Sequence, residues 1–301
     1  MAPPAERPSS DRPSSDRAGG LTNLQKRILS AAVLLPLVIA AIYFGHPFFA
    51  VLIAVFGATA AWEWACVAAN AHPDQGKVPV PSTPKGLWFF IAVLSGLAVI
   101  AVIQFIGFPS SVGAIVVPAV GIAWLGLTCL SFDWRRIGWT VPGVLYVAAA
   151  AAALVVLRGD PDWGRATLVW IIAMVVAADT GGYLVGRTVG GPKLVPRISP
   201  NKTWSGLGGA VAGAALVGLL TAFVLNHTNV LVLTLISAVI GLLEQGGDLV
   251  ESAFKRHFGV KDTSQIIPGH GGVLDRVDGL LAVAVAVLVI NLWAGGSVLA
   301  W

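Results

Sequence analysis

Long apolar runs alternate with short polar segments along almost the whole chain. The apolar runs cover residues 28–45, 48–68, 87–107, 112–130, 141–157, 166–187, 207–226, 229–250 and 279–298. A run of about 20 apolar residues predicts a helix that crosses a membrane, because a helix of that length spans the hydrocarbon core. The pattern therefore predicts an all-α fold, a polytopic bundle of about nine transmembrane helices.

Composition supports a membrane protein and separates the first residues from the rest. The chain is 56% hydrophobic and 11% charged, whereas soluble domains carry about 25% charged residues. Residues 1–20 instead contain the near repeat R-P-S-S-D-R-P-S-S-D-R, which has no large apolar side chain with which to build a core. We expect residues 1–20 to form a disordered cytoplasmic tail and residues 21–301 to form one integral membrane domain.

Basic residues predict how the domain is oriented. With the N-terminus inside, the inner segments and the span ends beside them hold all but two of the 19 Lys and Arg residues. The exceptions are Arg158 and Arg165. Positive charge collects on the cytoplasmic side of membrane proteins, so the polar segment at 252–278 should face the cytoplasm.

Residues 252–278 hold the densest set of charges between apolar runs. They include Lys255, Arg256, Lys261, Asp262, His270, Asp275, Arg276 and Asp278. Asp275 and Asp278 are three residues apart and share a helix face, as do Asp248 and Glu251 just upstream. Carboxylates gathered in this way repel one another unless a cation lies among them, and hard oxygen ligands beside basic residues suit Mg²⁺ that carries a polyphosphate.

The segment P-G-H-G-G at 268–272 cannot form regular helix, and its glycines allow the backbone to approach a ligand closely. The alternative is a solvated loop with ordinary surface charges. The glycine cluster and the carboxylate spacing favour a functional site over that alternative.

Two further polar segments lie upstream. Asp179 comes late in the sixth run and is followed by Thr180, Gly181 and Gly182; it either lines a polar cavity or is the buried partner of Arg187. Three prolines in residues 190–206 exclude a continuous helix. The start of the seventh run then offers free backbone N–H groups near Lys202, which suits an anion, although a simple capped turn is the alternative.

Other polar residues inside the apolar runs leave their roles open. Glu63 in the second run could serve structure or catalysis equally well. Glu244, Asp248 and Glu251 share one face of the eighth run. Cys66 and Cys129 are typical of small buried residues, so neither a disulfide nor a zinc site is indicated.

Residues 252–278 resemble the signature of the phosphatidate cytidylyltransferases, also called CDP-diacylglycerol synthases. The shared pattern is Ser-x-apolar-Lys-Arg, four residues, Lys-Asp, a small residue, then Pro-x-His-Gly-Gly-apolar-x-Asp-Arg-apolar-Asp, and this chain matches every specified position. The resemblance extends back to about residue 179, is vague before that and is absent from residues 1–20. The Ser-Pro-x-Lys-Thr pattern at 199–203 also resembles this family.

The resemblance implies roles for individual residues. The catalytic group would be Asp248, Asp275, Asp278, Lys255 and Arg256, and Asp248, Asp275 and Asp278 would also bind the metal, Mg²⁺ or a similar divalent cation. The substrate-binding group would be Asp179, Ser199, Asn201, Lys202, Thr203, Lys261, His270, Gly271, Gly272 and Arg276. Glu244 and Glu251 extend the acidic set on spacing alone.

The implied reaction transfers the cytidylyl group of CTP to phosphatidic acid, in phospholipid biosynthesis at the inner cell membrane. The partners would be CTP and a lipid in the bilayer, with no nucleic acid, and the oligomeric state stays open, a homodimer included. An ion-coupled transporter is the rival from another class. A lipid kinase or a CTP-dependent transferase acting on a polyprenol is the rival among enzymes.

Overall fold

A computed structural model describes residues 22–70, 137–226 and 229–301 of the chain. Seven helices within these ranges are long and apolar enough to cross a membrane. They are α1 (Asn23–Phe44), α2 (Phe48–Asn70), α3 (Ile137–Arg158), α4 (Gly164–Thr188), α5 (Trp204–Leu225), α6 (Val230–His257) and α7 (Leu274–Ala294). The predicted all-α membrane fold is confirmed.

Each of the seven helices coincides with one predicted apolar run. The runs at 87–107 and 112–130 lie outside the described residues, so the total of about nine spans stays a prediction. The predicted tail at 1–20 also lies outside them. A two-stranded antiparallel hairpin, β1 (Lys193–Val195) and β2 (Ser199–Thr203), joins α4 to α5, where the prolines exclude a continuous helix.

The helices that flank the polar segment extend further than the apolar runs predict. Helix α6 continues to His257, and α7 begins at Leu274. The apolar pattern stops where side chains leave the hydrocarbon, but backbone hydrogen bonding continues past that point. As a result Lys255 lies on α6 and Asp275 lies on α7, both on regular helix rather than in a loop.

Helices α4, α5 and α6 pack closely because small residues face one another. A Cβ atom on Gly181 would lie 2.4 Å from the Gly209 carbonyl oxygen, and a Cβ on Gly209 would lie 2.5 Å from the Gly181 oxygen. Gly213 makes the same kind of contact with the Ala177 carbonyl, at 2.4 Å. Direct backbone contact of this kind is the role that small residues have in membrane helix pairs.

Aromatic packing joins α2 and α3 to α6. Trp64 stacks on Phe254 with a ring separation of 3.8 Å, and Trp64 Nε1 donates a hydrogen bond to the Trp139 carbonyl at 2.9 Å. Gly143 leaves room for the Trp64 indole, since a Cβ there would lie 1.8 Å from its Nε1. These contacts hold the end of α2 beside the end of α6.

The two ends of the bundle differ. One end carries the hairpin, the segment between α6 and α7, the start of α1 and the end of α2. At the opposite end, Arg158 Nε donates to the Ile42 carbonyl at 2.8 Å and the Asn229 N–H donates to the Trp301 carbonyl at 2.7 Å. The candidate site therefore lies at the end that holds the hairpin.

Candidate functional site

Three carboxylates meet where α6 and α7 approach each other. One ligand atom from each of Asp248, Glu251 and Asp278 lies within 4.8 Å of the others. Asp248 and Glu251 occupy successive turns of one face of α6, and Asp278 lies in the first turns of α7. The close approach depends on Gly247, where a Cβ atom would lie 3.0 Å from the Asp278 carbonyl oxygen.

Glu251 is the most buried member of this carboxylate triad. Its side chain is 3% exposed, and Lys255 Nζ lies 2.9 Å from Oε2. Within the described residues no backbone N–H, hydroxyl or amide group donates a hydrogen bond to either Glu251 oxygen. A buried carboxylate whose contact with a donor group is the Lys255 ammonium, beside two more carboxylates, fits a site for a cation.

Asp275 is not a member of the triad. Its Oδ1 lies 2.9 Å from Lys255 Nζ, and its Oδ2 accepts hydrogen bonds from the Gly272 N–H, the Thr263 N–H and the Thr263 hydroxyl at 2.9 to 3.0 Å. Lys255 therefore bridges Glu251 and Asp275. Because protein donors already surround the Asp275 carboxylate, the geometry favours Glu251 as the third metal ligand, and Asp275 as a ligand stays a prediction.

Lys202 approaches the triad from the hairpin. Its Nζ lies 2.6 Å from Asp248 Oδ2 and donates a hydrogen bond to Gln245 Oε1 at 2.8 Å. Gln245 Nε2 in turn donates to Glu244 Oε2 at 2.8 Å. The chain Lys202–Gln245–Glu244 ties the hairpin to α6 and leaves the Lys202 ammonium directed at the carboxylates.

A polar cavity of about 460 Å³ opens beside Lys202 and Asp248. It lies between α4, the hairpin, the start of α5 and the second half of α6, and three glycines, Gly182, Gly186 and Gly206, form part of its wall. Charged and polar side chains also line it: Asp179, Tyr183, Arg187, Lys193, Asn201, Lys202, Gln245 and Asp248. Its size and mixed charge suit a phosphorylated ligand.

Asp179 lines this cavity on the α4 side. Arg187 contacts the Tyr183 hydroxyl and lies over the Tyr183 ring at 5.8 Å, and no ion pair joins Arg187 to Asp179 in the part of the chain that the structure describes. The placement favours the cavity-lining interpretation of Asp179 over a buried partner for Arg187.

The other hairpin residues have separate positions. Asn201 and Thr203 line the cavity, and Ser199 pairs with Val195 in the hairpin. The Thr203 hydroxyl caps α5 by accepting a hydrogen bond from the Gly206 N–H at 3.0 Å. The residues at the start of α5 therefore form a capped turn and also contribute to the cavity wall.

The segment P-G-H-G-G folds against α1 as well as α7. Ser30 Oγ lies 2.8 Å from His270 Nδ1, and Arg27 Nε donates to the Gly269 carbonyl at 2.8 Å. Arg276 Nε donates to the His270 carbonyl at 2.9 Å. Partial burial of the His270 ring, then the charges of Arg276 and Arg27, lower the pKa of His270 below the usual histidine value.

Gly271 adopts φ +92°, a conformation that side chains disfavour, and its carbonyl accepts a hydrogen bond from the Ile267 N–H at 2.9 Å. Arg256 binds two backbone carbonyls, those of Ile198 and Val260, at 3.4 and 3.3 Å. The Lys261 side chain is exposed. Arg256 and Lys261 therefore lie at the rim of the site.

Sequence reasoning did not identify Gln245, Thr263, Ser264, Arg27 or Ser30. A buried amide within an apolar run was a usable signal for Gln245. The contacts of Ser30 and Arg27 with residues 269–270 have no local signal, because they join positions about 240 residues apart.

The fold and the site define an integral membrane enzyme whose carboxylates and lysines meet beside a polar cavity at one end of the bundle. The chain belongs to the cytidylyltransferase family, whose model matches residues 25–293. Three curated relatives are each named phosphatidate cytidylyltransferase. The relative from Brucella suis is 36% identical over 265 residues, which are 88% of this chain and 92% of that protein.

The relative from Pseudomonas aeruginosa is 35% identical over 287 residues, covering 91% of this chain and 98% of that protein. The relative from Haemophilus influenzae is 32% identical over 295 residues, covering 86% of this chain and 95% of that protein. The likeness to these relatives spans most of the chain, so it extends well beyond residues 252–278.

Proposed function

We propose that the protein transfers the cytidylyl group of CTP to phosphatidic acid, giving CDP-diacylglycerol and pyrophosphate. The observation that carries the proposal is the triad of Asp248, Glu251 and Asp278, flanked by Lys202 and Lys255 and open to a polar cavity. Names of relatives at 32–36% identity support the same reaction.

The reaction requires little from protein nucleophiles. An oxygen of the lipid phosphate attacks the α-phosphorus of CTP, a new P–O bond forms, and the bond to the β-phosphate breaks to release pyrophosphate. The attacking oxygen is already anionic, so the enzyme has to screen two anions from each other and align them. Lys202, beside Asp248, and Lys255, beside Glu251, supply positive charge for this screening.

A divalent cation such as Mg²⁺ fits the residues present. Asp248, Glu251 and Asp278 would hold it, since they offer three hard oxygen ligands within one cluster. When bound, such an ion would supply positive charge that stabilises the departing pyrophosphate. Asp275 would then hold Lys255 in place rather than bind the ion.

The cytoplasm is the proposed location of the site, with the domain in the inner cell membrane. The end of the bundle with the site carries Lys26, Arg27, Lys193, Arg197 and Lys261, whereas Arg158 and Arg165 lie at the other end. A cysteine at exposed Gln265 should be protected from impermeant thiol reagents in intact cells, and one at exposed Asp162 should react. The control background lacks Cys66 and Cys129, and the reverse labelling pattern would overturn this orientation.

Purified protein in detergent, supplied with labelled CTP, phosphatidic acid and Mg²⁺, tests the reaction. The expected result is labelled CDP-diacylglycerol together with pyrophosphate. A phosphorylated lipid without the cytidylyl group would indicate a kinase, and labelled product from a polyprenyl phosphate alone would indicate another lipid substrate. No incorporation of label at all would support the transporter alternative, and each of these three outcomes overturns the proposal.

A further inference from the structure

Glu63 is fully buried near the end of α2, about 200 residues from the segment it contacts. Its carboxylate accepts hydrogen bonds from the Val273 N–H at 3.0 Å and the Leu274 N–H at 2.7 Å. The Ser264 hydroxyl also donates to Oε1, and the Thr263 hydroxyl lies 3.3 Å from Oε2. Because the side chain is fully buried and protein groups donate to both carboxylate oxygens, Glu63 acts through other residues.

The two backbone contacts make Glu63 the N-terminal cap of α7. The residue in the cap position of α7 is Val273, whose side chain offers no hydrogen bond. Free N–H groups and the helix dipole at such an end favour a carboxylate. Here the carboxylate comes from another helix, so α2 determines where α7 begins, and α7 carries Asp275 and Asp278 in its first turns.

The hydroxyl contacts extend the same control to the segment before α7. The Thr263 hydroxyl lies between Glu63 and Asp275, at 3.3 and 3.0 Å from their carboxylates. Gly272 closes this junction, because a Cβ atom there would lie 2.2 Å from Thr263 Oγ1 and 2.8 Å from Glu63 Oε1. One buried side chain thus connects α2, residues 263–264 and the start of α7.

We propose that Glu63 is a positioning residue that sets the placement of Asp278 and Asp275 for metal and phosphate binding. The inference rests on the proposed function for its chemistry, because the carboxylates it positions are the proposed metal ligand Asp278 and the Lys255 partner Asp275. Substitution of a residue that orients a metal ligand from outside the coordination shell typically lowers metal affinity or activity by about 10–100-fold.

Binding of Mn²⁺ to the purified protein, followed by electron paramagnetic resonance, tests the proposal without depending on turnover. Glu63→Gln should weaken Mn²⁺ binding by about 10-fold or more and lower kcat more than it raises KM for CTP. Gly272→Ala should have a similar effect, and the double variant should show less than the product of the two, since both act on one junction. Ser264→Ala should change Mn²⁺ affinity in the same direction and by less.

Trp64→Phe is the matched control. Trp64 neighbours Glu63 on α2 and is buried, but its hydrogen bond goes to the Trp139 carbonyl. This variant should lower the unfolding temperature without changing Mn²⁺ affinity. If Glu63→Gln does not fold, Gly272→Ala and Ser264→Ala carry the test.

The proposal is overturned if Glu63→Gln and Gly272→Ala bind Mn²⁺ as tightly as the unaltered protein and only unfold at a lower temperature. Glu63 would then have a purely structural role. Absence of Mn²⁺ binding by the unaltered protein would also overturn it. An unaltered protein that binds Mn²⁺ but forms no CDP-diacylglycerol overturns only the proposed reaction, and the Mn²⁺ titrations of the variants still decide the role of Glu63.

Discussion

Two lysine–aspartate pairs contribute to the site around the carboxylate triad, and they differ in how much the protein surrounds them. In the pair of Lys202 and Asp248, the Asp248 side chain is 27% exposed and borders the polar cavity. In the pair of Lys255 and Asp275, the Asp275 side chain is 4% exposed and accepts three further hydrogen bonds. The first pair is open to a ligand, and the second is closed by protein.

The difference indicates a division of labour between residues of the same type. An aspartate beside a cavity can exchange its lysine partner for a metal ion or let that lysine move to a phosphate. An aspartate surrounded by donors is fixed, and it fixes the lysine beside it. We therefore expect substitutions in the open pair to affect catalysis and substitutions in the closed pair to affect stability as well.

The largest effect should follow from Asp248→Asn or Asp278→Asn. Each removes one proposed metal ligand, so turnover should fall by well over the roughly 100-fold that an outer-shell change causes. The unfolding temperature should not fall, because removing one of several neighbouring carboxylates relieves repulsion. Turnover of labelled CTP and thermal unfolding of the same preparations measure both quantities, and near-normal turnover in either variant would remove that residue from the ligand set.

Asp275→Asn should reduce activity and stability together. The variant leaves Lys255 with Glu251 alone and places an amide among three donors. Removing one partner of a buried ion pair costs about 3–5 kcal/mol, and the remaining Glu251 contact places this variant at the lower end. Denaturant titration in detergent gives the free energy of unfolding. An unchanged free energy of unfolding with abolished turnover would instead support Asp275 as a metal ligand.

Lys202→Ala should act mainly through substrate. Loss of one charge-assisted bond to phosphate would cost about 1–3 kcal/mol, seen as a higher KM for CTP or phosphatidic acid. The Mg²⁺ concentration for half-maximal rate should not rise, since the carboxylates remain. Lys193→Ala is the matched control, because Lys193 lines the same cavity but forms no ion pair within the described residues. Equal effects of the two variants would mean that the cavity contributes only general positive charge.

The smallest effect concerns His270, which lies outside both pairs. Burial and the charges of Arg276 and Arg27 lower the pKa of His270, which favours the neutral ring in the folded protein. The unfolded chain binds a proton at His270 more readily than the folded protein does. The contribution of the neutral ring to the free energy of unfolding is therefore present above the ordinary histidine pKa and is lost as the pH falls below it. Arg27→Gln should raise the pKa of His270, as histidine-selective NMR titration would show, with His270→Gln assigning the signal. An unchanged pKa of His270 in the Arg27→Gln variant would show that Arg27 does not lower that pKa.

The comparison between the two pairs also shows where reasoning from the sequence stops. Asp275 and Asp278 share a helix face by spacing, which predicts joint action on one ion. The structure separates them because Asp275 lies in the first turn of α7, where its side chain reaches back to Thr263 and Gly272. Glu251, assigned on spacing alone, lies nearer to Asp248 and Asp278.

The sequence by itself determined the membrane-spanning helices that the structure describes, the polar segments between them and the resemblance carried by residues 252–278. These properties depend on local periodicity and on residue type, which are present before the chain folds. Only the tertiary structure decided that Glu63 caps α7, that Lys202 meets Asp248, and that Lys255 bridges Glu251 and Asp275. Apart from the Lys255–Glu251 contact, which spans one turn of α6, those contacts join residues 20 or more positions apart. They depend on how closely glycine-lined helices pack and on the path of the segment between α6 and α7.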